Sequence, residues 1–179
     1  MTSDIEIRAA TTADLPAITA IYRPAVLSGT ASFEIDPPDA AEMGRRMAAI
    51  LAAGMSYLVA ERTGNVLGYG YLAAYRPRPA YAWSVENSIY VDPGAHRSGV
   101  GRMLLAALID AATAQGFRQM IAVIGDSGQR ASIGLHRAAG FMFCGTVHAV
   151  GFKNGRWLDQ VLMQRPLGEG DSSVPLPVP

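Results

Sequence analysis

The stretch that decides the fold is Val85–Gln115, VENSIYVDPGAHRSGVGRMLLAALIDAATAQ. Ser88, Ile89, Tyr90 and Val91 form a β-prone run, which Asp92-Pro93-Gly94 breaks off with residues that favour a turn. Leu104, Leu108 and Ala111 then recur at helical spacing, and Leu105 and Ala112 widen the same apolar face. Between strand and helix lies His96-Arg97-Ser98-Gly99-Val100-Gly101, where two glycines run straight into the helix start. A helix start leaves about four backbone N–H groups without partners and carries roughly half a positive charge. With no Cβ at Gly99 or Gly101, an anion can settle onto those amides. The segment is predicted to cradle a phosphate. Two familiar phosphate signatures are missing. Leu104 stands where a dinucleotide fingerprint has its third glycine, and no Gly-Lys-Ser/Thr follows.

Working outward, the chain of 179 residues is half apolar and suits one domain, expected over residues 1–167. The remainder, 168–179, reads GEGDSSVPLPVP and is expected to be a disordered tail. Fifteen basic residues balance fifteen acidic ones, so no global field draws the protein to nucleic acid or an anionic membrane. The single cysteine, Cys144, excludes an internal disulfide, and no apolar run of about 18 residues occurs. A soluble, cytoplasmic protein is expected. Cys144 follows Phe141-Met142-Phe143 in a strand and is expected to be buried.

Upstream, Ile5 and Ile7 mark a first strand, and Thr12 is the expected cap of a helix bearing Ile18, Ile21, Tyr22 and Val26. Pro24 should kink or end that helix. Pro37-Pro38-Asp39 launches a second helix through Met43, Met47 and Leu51, stopped by Gly54. Tyr57–Glu61 and Val66–Tyr75 read as a hairpin around Thr63-Gly64-Asn65. Downstream, Met120–Ile124 is a buried strand and Ser127–Ala139 a helix. Phe141–Gly151 and Leu158–Gln164 close the chain as an antiparallel pair about Lys153-Asn154-Gly155. The order β-α-α-β-β-β-α-β-α-β-β predicts an α/β (α+β) domain with a mixed, mostly antiparallel sheet and helices on both faces.

Val-x-Pro, a short loop, then x-Arg-x-Gly-x-Gly before an Ala/Leu-rich helix resembles the acetyl-CoA pyrophosphate loop of the GNAT N-acetyltransferase superfamily. His96 stands in the slot that usually holds Gln or Arg. Three longer blocks, Val85–Val91, Ala131–Phe141 and Val150–Asp159, are similar to the phosphinothricin and methionine sulfoximine/sulfone acetyltransferase group. The resemblance implies acetyl transfer from acetyl-CoA to the α-amino group of a small amino acid, without a metal, in a homodimer. It places pyrophosphate on His96, Arg97, Ser98, Gly99, Val100, Gly101 and Arg102, and pantetheine along Ile89, Tyr90 and Val91, near Gln129 and Ser132. Gln129 stands close to where the group usually has Asn.

The residues themselves suggest roles too. Glu86 opens the strand that feeds the loop; a carboxylate partly desolvated beside Tyr81 and Trp83 can take a proton from an ammonium nucleophile. The resemblance makes it the general base. The other reading is an exposed strand-edge glutamate. His136 fills a slot where many relatives place a tyrosine that protonates the departing thiolate; a packed structural histidine is the alternative. Arg76 and Arg78 flank Pro77 and can read acidic groups bidentately, with Phe33, Glu34 and Tyr81 as pocket wall. His96, His136 and His148 show no metal spacing. Two rivals remain at this stage: an acyl-CoA-binding module without turnover, and a protein N-terminal acetyltransferase of the same fold.

Overall fold

The frame follows from the alternation of side chains along β4 (Ser84–Val91), the strand inside the deciding stretch. Val85 and Ile89 point to one side of the sheet and pack with Leu105 and Leu108 of α3 (Val100–Ala114). Tyr90 points to the other and meets Tyr22 of α1 (Leu15–Leu27) edge-on, centroids 4.8 Å apart. A strand carrying apolar residues on both faces belongs at the centre of a covered sheet. This is a computed structural model, and it describes residues 4–175.

The sheet has seven strands in the order β1-β2-β3-β4-β5-β7-β6. They are β1 (Glu6–Ala9), β2 (Tyr57–Arg62), β3 (Asn65–Ala74), β4, β5 (Gln119–Gly125), β6 (Met142–Lys153) and β7 (Arg156–Pro166). Every neighbouring pair is antiparallel except β4 and β5. α1 and α2 (Ala40–Ala52) cover one face, while α3 and α4 (Arg130–Ala138) lie on the other. The parallel pair is bridged by α3, the crossover a parallel connection requires. Gly68 and Gly70 let α3 lie close on β3: a Cβ at either would stand 2.9 Å from a carbonyl of β4 and within 3.0 Å of an α3 side chain.

Several expectations shift. Thr12 does not cap α1: it opens a 3-10 turn, Thr12–Asp14, capped by Thr11, and Asp14 stands at the cap of α1 and reaches back to accept from the Thr11 N–H at 2.7 Å. Arg8 holds the same carboxylate and pairs with Glu61, tying β1 to β2. Pro24 does not end α1, which runs three residues further before the Ser28 N–H caps the Pro24 carbonyl. α4 begins at Arg130 rather than Ser127, since Asp126 (φ 77°) makes a turn and accepts from the Gly128 N–H. Cys144 is exposed, correcting the buried expectation, because β6 is an edge strand with little packed over it. Of the expected tail, residues 168–173 form turns against Arg118, which donates to the Gly170 carbonyl and the Ser173 hydroxyl. Residues 174 and 175 follow without regular structure, and 176–179 lie outside the described residues. No helix of the structure is long and apolar enough to cross a membrane.

Candidate active site

The parallel pairing of β4 with β5 is short. It runs from Ser84↔Gln119 to Asn87↔Ala122 and stops, although both strands continue. β4 stays paired with β3 as far as Val91↔Gly68. Residues 88–91 of β4 therefore carry an open edge on the β5 side, a slot for an extended amide-bearing chain to add as a strand.

The slot leads to the glycine loop. After a single 3-10 turn, Pro93–Ala95, Arg97 (φ 64°) and Gly99 (φ 91°) both take left-handed conformations. The Ser98 hydroxyl donates to the Ala95 carbonyl at 2.6 Å and braces the turn between them. The first helical bond of α3 runs from the Met103 N–H to the Gly99 carbonyl, so the amides of Val100, Gly101 and Arg102 have no helical acceptor. A Cβ at Gly99 would meet nothing within 4 Å, and the residue is glycine because of its φ rather than for lack of room. His96 turns its Nε2 to the Val91 carbonyl at 3.2 Å, pinning the loop to the end of β4. These amides and the slot fit the pyrophosphate and arm of an acyl-CoA.

Glu86 lies two residues before the slot, on the α1/α2 face with Ser88 and Tyr90. Its cross-strand partner is Ala73, whose small side chain leaves the carboxylate uncrowded. Among the described residues it has no hydrogen-bond or ion-pair partner, and burial pushes its pKa above the ordinary glutamate value. That is the state a proton acceptor for an ammonium needs.

Further along β3, the chain turns after Tyr75 into Arg76-Pro77-Arg78 and a 3-10 turn, Pro79–Tyr81. Arg76, Pro77, Arg78 and Tyr81 line a cavity of about 280 Å³. The Arg76 guanidinium lies 5.2 Å from the Tyr75 ring centroid and 5.9 Å from that of Tyr81, an aromatic seat that orients an exposed cation. Arg76 follows Ala73, the cross-strand partner of Glu86, by three residues, just beyond the end of β3.

Residues 7–162 match the model of the acetyltransferase (GNAT) domain. The chain belongs to the GNAT acetyltransferase family. It is 56% identical over 162 residues to phosphinothricin N-acetyltransferase of Alcaligenes faecalis, covering 90% of this chain and 82% of that one. It is 45% identical to the L-methionine sulfoximine/L-methionine sulfone acetyltransferase of Pseudomonas paraeruginosa, covering 88% and 92%. A phosphinothricin acetyltransferase from Sinorhizobium meliloti, solved in complex with AcCoA, superposes with a TM-score of 0.94 at 49% identity, covering 97% of this chain and 94% of that one.

The α4 residues of this acetyltransferase are engaged inside the protein. His136 is 4% exposed and packs edge-on against Phe141. Its Nδ1 lies 2.8 Å from the Ser132 carbonyl, which can only accept, so Nδ1 carries the proton. Nε2 then accepts from Asn87 Nδ2 at 2.9 Å. Both ring nitrogens are used, and burial lowers the pKa of the ring. The same geometry turns Asn87 Oδ1 away from the histidine, and that oxygen is buried with no partner among the described residues. Gln129 Nε2 donates to Thr30 Oγ1 at 2.9 Å, which ties α4 to the segment after α1. Phe33 and Glu34 lie on that segment; Glu34 pairs with Arg46 of α2 at 2.6 Å and accepts from the Tyr22 hydroxyl.

Sequence reasoning passed over Tyr71, Arg46 and Asn87. Tyr71 stands opposite Ser88 and stacks on Tyr57 at 5.1 Å, on the same face as Glu86. Tyr69-x-Tyr71 at period two was the available signal for an aromatic strand face. Nothing local marked Asn87 or Arg46, whose partners come from α4 and from the segment after α1.

Proposed function

We propose that this acetyltransferase moves the acetyl group of acetyl-CoA onto the α-amino group of a small amino acid of the phosphinothricin or methionine sulfoximine/sulfone kind. The observation that carries the reading is the open β4 edge, with bare helix amides at one end and a half-buried, partnerless carboxylate at the other. Acetyl-CoA supplies an activated thioester, held by the amides from Val100 to Arg102 and by the backbone of Ile89–Val91.

Glu86 accepts a proton from the substrate ammonium, directly or through one water, and leaves a neutral amine. The amine attacks the thioester carbonyl, a β4 backbone N–H stabilises the resulting oxyanion, and the carbon–sulfur bond breaks. The thiolate departs and takes up, through water, the proton that the attacking nitrogen loses as the amide forms. His136, with both nitrogens bonded inside the protein, serves this scheme by fixing Asn87, the neighbour of Glu86 in β4, on the opposite face of the sheet. Arg76 and Arg78 bind the acidic groups of the amino acid, and Phe33, Glu34 and Tyr81 limit its size.

The enzyme acts as a homodimer in this reading. Met142, Phe143, Val147, Val150 and Phe152 on edge strand β6, with Trp157 on β7, are all exposed. So much apolar surface along a sheet edge marks an association surface.

The test is thiol release from acetyl-CoA with phosphinothricin, methionine sulfoximine, methionine sulfone, ordinary amino acids and an N-terminal peptide. The three analogues should give the highest kcat/KM. Preference for the peptide would replace this reading with protein N-terminal acetylation. Tight CoA binding without turnover across the panel would leave an acyl-CoA-binding module.

A further inference from the structure

The segment between α1 and α2, residues 28–39, carries Phe33 and Glu34 and has no regular secondary structure. It is nonetheless held along its length. Thr30 is bonded by Gln129, the Ser32 hydroxyl lies 2.7 Å from that of Tyr22, and Glu34 pairs with Arg46. The Phe33 ring sits between two glycines. A Cβ at Gly125 would stand 2.9 Å from the ring, and one at Gly151 would stand 2.5 Å from it. Neither site has room for any other side chain.

The remaining tether is Lys153, two residues beyond Gly151 on the same face of β6. Its Nζ donates to the Ser32 carbonyl at 2.6 Å and to the Ala25 carbonyl, in the last turn of α1, at 3.3 Å. The residue is 4% exposed, and among the described residues no carboxylate lies within ion-pair distance. A buried ammonium is costly unless hydrogen-bonded, so it draws carbonyl dipoles to itself; the last carbonyls of a helix are natural acceptors. Burial accordingly lowers its pKa below that of an ordinary lysine. β6 thus supplies both one side of the seat for the Phe33 ring and the cation that grips the preceding carbonyl.

We propose that Lys153 is the positioning residue of the amino-acid wall: by fixing the Ser32 carbonyl it sets the place of Phe33 and Glu34 and so the enzyme's selectivity for small amino acids. The inference rests on the small-amino-acid reading above. Lys153 does not touch the substrate; it acts through the segment it holds.

Lys153→Met keeps the aliphatic stem and removes the ammonium. Amide hydrogen exchange over residues 29–35 should accelerate by roughly tenfold, the loss expected when one charge-assisted bond goes. Exchange at Val100–Arg102 should be unchanged. In turnover, KM for the amino acid should rise by about tenfold while KM for acetyl-CoA stays constant. Unchanged exchange over 29–35, or an equal rise in both KM values, overturns the proposal. If Lys153→Met does not fold, Gly151→Ala carries the test: it keeps the lysine but displaces the ring, and the same split in KM is expected. An unaltered amino-acid KM there overturns it equally. Exchange is read on the substrate-free protein, so a wild-type enzyme inactive on small amino acids would sink the functional reading alone.

Discussion

Asn87 Nδ2 lies 2.9 Å from Nε2 of His136, and the Ser132 carbonyl at 2.8 Å from Nδ1 decides which atom donates. The histidine is locked neutral in a single tautomer, since protonating Nε2 would set two donors face to face. Burial lowers its folded pKa below the ordinary histidine value, so the unfolded chain binds more protons as pH falls. This contribution to stability is present above the ordinary value and is lost as pH falls from there through the lowered folded one. The urea midpoint of the wild type should drop between neutral pH and about pH 5, and His136→Gln should show a shallower drop. Parallel pH profiles for the two proteins would contradict the locked tautomer.

Glu86 has the opposite sign. Its folded pKa is raised by burial, so the native state holds its proton longer, and stability declines as pH rises from the ordinary glutamate value through the raised one. Glu86→Gln should therefore be the more stable protein at neutral pH, with the difference vanishing in acid. It should also lose roughly 10²–10⁴-fold in kcat/KM and flatten the acidic limb of the rate profile. A retained acidic limb would remove Glu86 from the proton transfer.

At the start of α3, Gly101→Glu should abolish acetyl-CoA binding in a folded protein. A Cβ at Gly101 makes ordinary contacts, 3.4 Å to Leu135 and 3.6 Å to Val91, so the fold accommodates the new stem. Its carboxylate, however, occupies the place of the phosphate with the same sign of charge. Titration calorimetry with acetyl-CoA reads the outcome, and unchanged affinity would relocate the cofactor.

Arg76→Ala should raise KM for the amino acid by about tenfold, the loss of one charge-assisted contact, and spare acetyl-CoA affinity. The effect is kept modest because Arg76 is exposed and seated on Tyr75 and Tyr81 rather than buried. An unchanged KM would leave the 280 Å³ cavity without a role in recognition.

Trp157 is 64% exposed and meets Phe152 edge-on, with ring centroids 5.2 Å apart. Trp157→Glu should convert a dimer to a monomer in light scattering at micromolar concentration. A wild type that is already monomeric would leave the apolar edge of β6 without a partner copy.

The fold was largely legible in the sequence because each element announced itself locally. Ser88–Val91 reads as strand, Gly99 and Gly101 as helix entry, and Leu104, Leu105 and Leu108 as the buried face, all from neighbours within a few residues. The glycine loop with its unbonded amides was legible for the same reason: they are consecutive, and consecutive residues fix their own geometry. What the sequence could not settle depended on partners far along the chain. Whether Glu86 is buried is decided by α1 and α2 lying over its face, and whether His136 has a spare nitrogen is decided by Asn87, forty-nine residues away. Lys153 looked like a turn residue until Ser32, 121 positions earlier, gave it an acceptor. Backbone preference acts over a turn or two, whereas desolvation and hydrogen-bond complementarity are properties of a packed interior. The tertiary structure alone could therefore distinguish a desolvated carboxylate from a surface one, and a lysine bonded in the interior from a loop charge.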